Sequence, residues 1–219
     1  MIIMKVACVL ITHLPIKSEL RRHLQLRGKA AIVTVQSSSG PKVLDASPEA
    51  SGVASGMPLQ EALSRCKDAA LIEADEPHYR AVFNGVLESL SQRSPLVEKS
   101  ELGCVYVGVN GLESIYGDEA GTVAALLKSV PHEYNARIGL AGTKFPAYIA
   151  AVIGGEGQVT RVSDDVATFL DDVTVDLLPV SWDAKARLHG FGLHTMGQVA
   201  SLSVGSLQAQ FGAEGRLAW

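Results

Sequence analysis

Residues 78–93 read HYRAVFNGVLESLSQR, with Tyr79, Val82, Phe83, Val86, Leu87 and Leu90 recurring at helical spacing. They form one apolar stripe, as a helix packed against a core requires. Just beyond lies ELGCVYVGV, residues 101–109, where Val105, Val107 and Val109 alternate with Cys104, Tyr106 and Gly108. That two-residue rhythm belongs to a strand with one buried face. The alternation of periods continues through EAGTVAALLKSV (a helix ending at Pro131), ARIGLAG (a strand), KFPAYIAAVI (a helix) and QVTRV (a short strand). Residues 78–162 therefore alternate helix and strand. With an apolar first strand over residues 3–11, they predict a split βαβ sheet covered by helices.

Between the first strand and that run, Pro15 opens a helix, PIKSELRRHLQL. A second strand (RGKAAIVTV), a hairpin-like loop at 37–39 and a short strand (KVLDA) follow. Pro58 starts a further helix, and AALIEAD returns as a strand. From Ser163 the texture changes to short helical pieces joined by Gly or Pro turns: VATFLDDV, VDLLPV, WDAKARLHGF, TMGQVASL and VGSLQAQFG. This predicts a separate small all-helical unit. The final GRLAW carries no capping signal and reads as a chain cut within a helix.

Composition narrows the function classes. The 219 residues are 47% hydrophobic and 19% charged, with a formal net charge of −4 and a pI near 5.9. That balance is globular, and no run reaches the 18 or so apolar residues of a membrane helix. No signal peptide is read at the N-terminus. The acidic balance excludes tight nucleic-acid binding through bulk charge and leaves room for a local basic stripe. Cys8, Cys66 and Cys104 match no zinc or disulfide spacing, and the six histidines form no HExxH-like pair. The cysteines read as buried small hydrophobes in a reducing cytoplasm, with no structural metal.

Several phrases together resemble the Y-family translesion DNA polymerases. SGMPLQEALSRCKDAALIEADEPHYRAVFNGVLESLSQRSPLVE is similar to that family's finger-to-palm passage. GLAGTKFPAYIAA is similar to its lysine-bearing helix, and ARLHGFGLHTMGQVASL to its helix-hairpin-helix thumb. The likeness runs from about Lys5 to Trp219. It implies an α/β (α+β) fold with a palm at 1–11 and 73–162, small fingers at 12–72, and a truncated helix-hairpin-helix-like thumb at 163–219. The same likeness implies that the family's C-terminal domain is absent from this chain.

In that family two Mg²⁺ ions are held by one carboxylate on the first strand and an Asp-Glu pair opening a central strand. Magnesium asks for hard oxygen ligands, and two ions stabilise both the attacking and the leaving oxygen. The resemblance places Leu10 at the first-strand position, with Thr12 at a nearby acidic one, and Gly103 and Cys104 at the pair. Leu10 and Gly103 offer no side-chain oxygen, and Cys104 is soft. The expected set is thus no catalytic residue and no metal ligand, with Glu101 as the one weak candidate. The family's triphosphate-gripping Tyr falls on Pro48, and its Arg is deleted near 50–52. Lys144 matches the triphosphate-binding lysine, whereas a second family lysine is Tyr148 here. The first thumb hairpin falls on Pro179, Val180 and Ser181, of which Pro179 has no amide to donate. Lys144, Ser181, Lys185, Arg187 and His194 remain as nucleotide- or DNA-binding candidates.

KVLDASPEA, GMPLQEAL and LGCVYVGVNGLESIYGDEA resemble the ImuB-type subunit of the bacterial mutasome. That likeness implies a cytoplasmic scaffold without enzyme activity or cofactor, acting in SOS translesion synthesis. It would contact DNA weakly and non-specifically. It would also join a replicative-type error-prone polymerase, a RecA-like accessory protein and the sliding clamp, mainly through regions outside this chain. The alternative is an active lesion-bypass polymerase using Mg²⁺ on displaced ligands such as Glu101 with Asp45 or Glu49. A nucleotide-sensing α/β domain is the second alternative.

Overall fold

The computed structural model describes residues 5–219; the expected start of the first strand, at residues 3 and 4, lies outside them. In chain order the elements are β1 (Val6–Leu10), α1 (Leu14–Arg22), β2 (Ala31–Ser37), β3 (Gly40–Ala46), α2 (Leu59–Arg65), β4 (Ala70–Glu73), α3 (Glu76–Ser91), β5 (Val97–Lys99) and β6 (Cys104–Gly108). Then come α4 (Glu113–Tyr116), α5 (Glu119–Leu127), β7 (Arg137–Ala141), α6 (Lys144–Ile153), β8 (Val159–Arg161) and α7 (Val166–Asp171). The chain closes with α8 (Trp182–Gly190), α9 (Met196–Ala200), α10 (Val204–Phe211) and α11 (Ala213–Ala218).

The main sheet runs β5-β6-β1-β7-β8 and the smaller one β3-β2-β4. In the main sheet β1 lies antiparallel to both β6 and β7, pairing Leu10 with Cys104 on one side and Arg137 on the other. The period-2 reading of 105–109 holds: Val105 and Val107 are fully buried, whereas Tyr106 and Gly108 are half-buried. One face carries Val9, Val105, Val107 and Ile138 against the stripe of Tyr79, Phe83, Val86 and Leu90 on α3. Fully burying each such side chain contributes about 1.5–3 kcal/mol.

The opposite face holds Cys8, Leu10, Cys104 and Ala141 under the small residues Ala147 and Ala151 of α6. That helix sits close because β7 presents Gly139, where a Cβ would overlap the Ala147 carbonyl oxygen. Ile149, Phe145 and Tyr148 turn the outer side of α6 toward the helical unit, packing with Val175, Leu188, Met196 and Leu207.

Three expectations change, and two short elements were not foreseen. The helix from Pro15 stops at Arg22, because His23 leaves helical geometry at φ −114°, ψ 68°, and residues 24–26 form only a 3-10 turn. VDLLPV is likewise a 3-10 turn over Val175–Leu177. The strand expected from Glu101 begins at Cys104, since residues 101–103 form a turn closed by the Cys104 amide donating to the Glu101 carbonyl at 3.0 Å. Finally, β5 and α4, three and four residues long, are too short to show a period.

Candidate functional site

The turn at 101–103 and the α6 face of the sheet meet the helical unit at a cleft of about 390 Å³. Its lining includes Glu101, Cys104, Tyr106, Tyr148, Asp176 and Lys185. The three positions singled out in the sequence come together at the end of the β1–β6 pair, and of them Cys104 lines the cleft. Leu10 and Cys104 are directly paired, and Gly103 is tied to the strand end by the Ile11 amide, which donates to its carbonyl at 2.7 Å.

Gly103 has φ +88°, and a Cβ built on it would stand 2.6 Å from the Ile11 carbonyl oxygen. The position needs glycine for both reasons. Cys104 is buried beside Cys8, with the two sulfurs 3.7 Å apart in a hydrogen bond. That bond to Cys8 holds the Cys104 thiol below the ordinary cysteine range, whereas the Cys8 proton, held in the bond and desolvated, is pushed up. Burial likewise pushes up the Tyr106 and Tyr148 hydroxyls.

This donor set does not fit a magnesium pair. Leu10 and Gly103 bring no side-chain oxygen, and thiols are a poor match for a hard cation. Among the described residues no group of three or more His, Cys, Asp or Glu side chains is arranged to hold a metal ion. Asp45 is already committed. Its Oδ1 meets His13 Nδ1 at 2.6 Å, and its Oδ2 accepts from the Ile16 amide at 3.2 Å, fixing the start of α1. The Asp45 bond raises the His13 pKa above the ordinary histidine value. Glu49 is exposed and does not line the cleft. Glu101 does line it.

The binding candidates are distributed more unevenly. Lys144 Nζ reaches Glu98 Oε2 at 2.5 Å and lies 5.6 Å from the Tyr106 ring centre, a position beside β5 and β6. Ser181 caps α8 by accepting from the Ala184 amide, while its own amide and hydroxyl donate to the Glu214 carboxylate at 2.6 and 3.0 Å. Arg187 donates to the Gln210 carbonyl at 2.5 Å and lies over Phe211. His194 faces His189, with Nδ1 atoms 2.9 Å apart, and His189 Nε2 meets Asp176 Oδ1 at 2.8 Å. That bond from His189 holds the Asp176 carboxyl below its usual range. Lys185 and Asp176 reach the cleft, but Lys144, Ser181, Arg187 and His194 are not part of its lining. Sequence reasoning missed Glu214 and Asp176, since both partnerships span turns that no periodicity reveals.

The comparisons with known proteins agree on the family. The profile of the IMS family, described as impB/mucB/samB, matches residues 12–152. The chain is 31% identical over 195 residues to a protein named DNA polymerase IV from Dehalococcoides mccartyi strain CBDB1, an alignment covering 86% of the chain and 50% of that relative. It is 27% identical over 172 residues to a DNA polymerase IV from Yersinia pseudotuberculosis, covering 77% and 49%. In shape it matches the crystal structure of DinB from Sulfolobus solfataricus with a TM-score of 0.82 at 22% identity, covering 98% of this chain and 65% of that one. An insertion ternary complex of Dbh DNA polymerase gives 0.81 at 21% identity, covering 98% and 67%. The chain belongs to the impB/mucB/samB family of Y-family polymerase-like proteins, and its fold is that of their catalytic core. It spans about half the length of the curated relatives it matches.

Two expectations are corrected here. The chain was expected to be no enzyme and to use no cofactor, from the lost carboxylates, the altered triphosphate grip and thumb hairpin, and the ImuB-type likeness. The relatives aligned over most of its length are named DNA polymerases, a class of nucleotidyltransferase that works with divalent metal ions. Among the described residues no helix is long and apolar enough to cross a membrane.

Proposed function

We propose that this chain acts on primer-template DNA in translesion synthesis, as the core of a lesion-bypass polymerase-type protein whose reaction class is templated nucleotidyl transfer. The supporting observation is the polymerase-core shape carried over 98% of the chain, joined to the relative at 31% identity. In this reading residues 1–11 and 73–162 form the palm, 12–72 the fingers and 163–219 a helix-hairpin-helix-like thumb. Lys185, already at the cleft, meets the DNA backbone. Lys144, Arg187, His194 and Ser181 reach nucleotide or DNA only by giving up the contacts described above. Glu101 is the carboxylate retained from the sequence reading as a displaced ligand, and it lines the cleft.

A second reading is favoured by one observation, the non-oxygen donors Leu10, Gly103 and Cys104 at the family's carboxylate positions. It is the ImuB-type role: a mutasome subunit in the SOS response that joins an error-prone replicative-type polymerase, a RecA-like accessory protein and the sliding clamp at damaged DNA. Primer extension by the purified chain with Mg²⁺, beside a salt titration of primer-template binding, separates the two. The first reading expects incorporation that Glu101→Ala abolishes. Salt-dependent binding without incorporation moves the assignment to the second, and no salt-dependent binding overturns both.

A further inference from the structure

Trp182 is the most exposed large hydrophobic residue among those described, at 78%. Its indole has no hydrogen-bond, cation or ring partner among the described residues. A single exposed apolar ring is common on protein surfaces; this one is set apart by how and where it is fixed.

The start of α8 is held from two sides. Ser181 caps the helix by accepting from the Ala184 amide at 3.2 Å, and the Glu214 carboxylate ties Ser181 to α11. Ala184 and Leu188 are buried. Trp182, two positions before Ala184, therefore leaves the helix on the side away from the core. Lys185, Ala186 and His189 share its face, three, four and seven positions on. Ala186 is exposed and too small to cover an indole. Lys185 lines the cleft, as do Pro179 and Val180 just before α8. The ring thus projects beside the cleft without being part of its lining.

The surrounding charge decides what such a ring can meet. Residues 163–219 hold seven Asp and Glu against three Lys and Arg, which accounts for the whole net charge of −4. Asp183 and Glu214 flank the ring in sequence and in space, the Ser181 amide is already used by Glu214, and Pro179 has no amide to donate. A phosphate finds few free donors here and a field that repels it. What this end of the unit offers DNA is a π-face with one cation, Lys185, beside it. Stacking of a base on an aromatic ring needs neither phosphate contact nor a particular sequence. Bases within a duplex already have both faces covered by their neighbours, so the free face belongs to an unpaired base.

We propose that Trp182 is a stacking platform for an unpaired nucleobase of bound DNA, fixed beside the cleft by the Ser181–Glu214 contact. The inference rests on the DNA reading above and adds to it a contact that is not electrostatic. It supplies affinity that salt does not erode, in a unit whose charge opposes the DNA backbone.

Trp219→Phe leaves Trp182 as the single tryptophan, so emission reports this position alone. Titration of that chain with oligothymidylate, and with a primer-template carrying a single-stranded overhang, is expected to quench the emission along the binding curve. Blunt duplex is expected to leave it unquenched. With Trp219 in place, Trp182→Ala should weaken binding of the two quenching ligands about 5- to 150-fold, the worth of one stacked base. The slope of log affinity against log salt should not change, because no phosphate contact is lost. Trp182→Tyr should keep most of the affinity and Trp182→Leu should not, whereas a merely apolar role accepts leucine. Circular dichroism confirms that each variant is folded. Salt-dependent binding with unquenched emission, as when the ring serves a protein partner instead, overturns the platform and leaves the proposed function standing. So does a folded Trp182→Ala chain that binds as the unaltered chain does. Equal quenching by blunt duplex overturns the unpaired base. Absence of all salt-dependent DNA binding is a separate result, which overturns the proposed function itself.

Discussion

Gly103 and Ile11 hold each other in place across the end of the β1–β6 pair. The Ile11 amide donates to the Gly103 carbonyl at 2.7 Å, and a Cβ on Gly103 would lie 2.6 Å from the Ile11 carbonyl oxygen. With φ at +88°, any L side chain there also meets the left-handed penalty of about 1–2 kcal/mol. Gly103→Ala should therefore destabilise the chain by about 2–3 kcal/mol, the backbone contact adding to the conformational term. Urea unfolding measures it through the midpoint at constant slope; a loss under about 0.5 kcal/mol would show that β6 shifts freely. Gly103→Asp carries the same strain, so the family's carboxylate cannot be restored here by one substitution.

Tyr79 and Glu19 form the buried polar contact that joins α3 to α1. The Tyr79 hydroxyl donates to Glu19 Oε1 at 2.8 Å, with both residues almost completely enclosed. Arg22 and His23 stand farther off, at 3.7 and 3.5 Å from the carboxylate oxygens. Tyr79→Phe keeps the ring and strips Glu19 of its shortest hydrogen bond, so a loss of about 1.5–3 kcal/mol is expected. Chemical denaturation should detect it, and a neutral result would mean that Arg22 closes in on Glu19.

The pH dependence of the small-sheet junction follows from His13. Its pKa is raised, first by the hydrogen bond to Asp45, so the protonated form is favoured in the folded chain. The contribution is fully present below the unfolded histidine value of about 6.5 and fades as pH rises through the higher folded value. The His13 side chain is 64% exposed, so solvent screening keeps the effect below about 1 kcal/mol. Melting the chain and His13→Ala between pH 5 and 9 should show an advantage of the unaltered protein that shrinks with rising pH. An advantage that grows with pH would reverse the assignment.

The parts legible in the sequence are those with a period. Residues 78–93 and 105–109 became α3 and β6 because buried side chains repeat at fixed intervals. The juxtaposition of Leu10 with Gly103 and Cys104 was legible only through the family likeness, since the residues come from distant strands. What escaped was set by single backbone geometries and cross-chain partners. The turn at 101–103 follows from one positive φ, and Asp45 as the stay of α1 depends on a β3 residue meeting a helix start 29 positions away. The 3.7 Å approach of Cys8 to Cys104 depends on a diagonal register that spacing alone does not disclose.

Glu214 bears directly on how the helical unit meets DNA. Its carboxylate accepts from the Ser181 amide and hydroxyl at the start of α8, a place where the helix dipole favours an anion. A phosphate approaching there must displace a carboxylate that already uses those donors and repels it. Glu214→Gln removes the charge and weakens both contacts, so under the proposed function the Ser181 amide becomes free to donate to a phosphate. The expected change is a slope of log affinity against log salt steeper by about 0.7–0.9, the value of one added phosphate contact, with severalfold tighter binding at low salt. Lys185→Ala should flatten the slope by a similar amount, since Lys185 stands at the cleft with no ion pair among the described residues. Fluorescence anisotropy of a labelled primer-template at several salt concentrations reads both variants. Identical slopes for Glu214→Gln and the unaltered chain would place the DNA path away from α8.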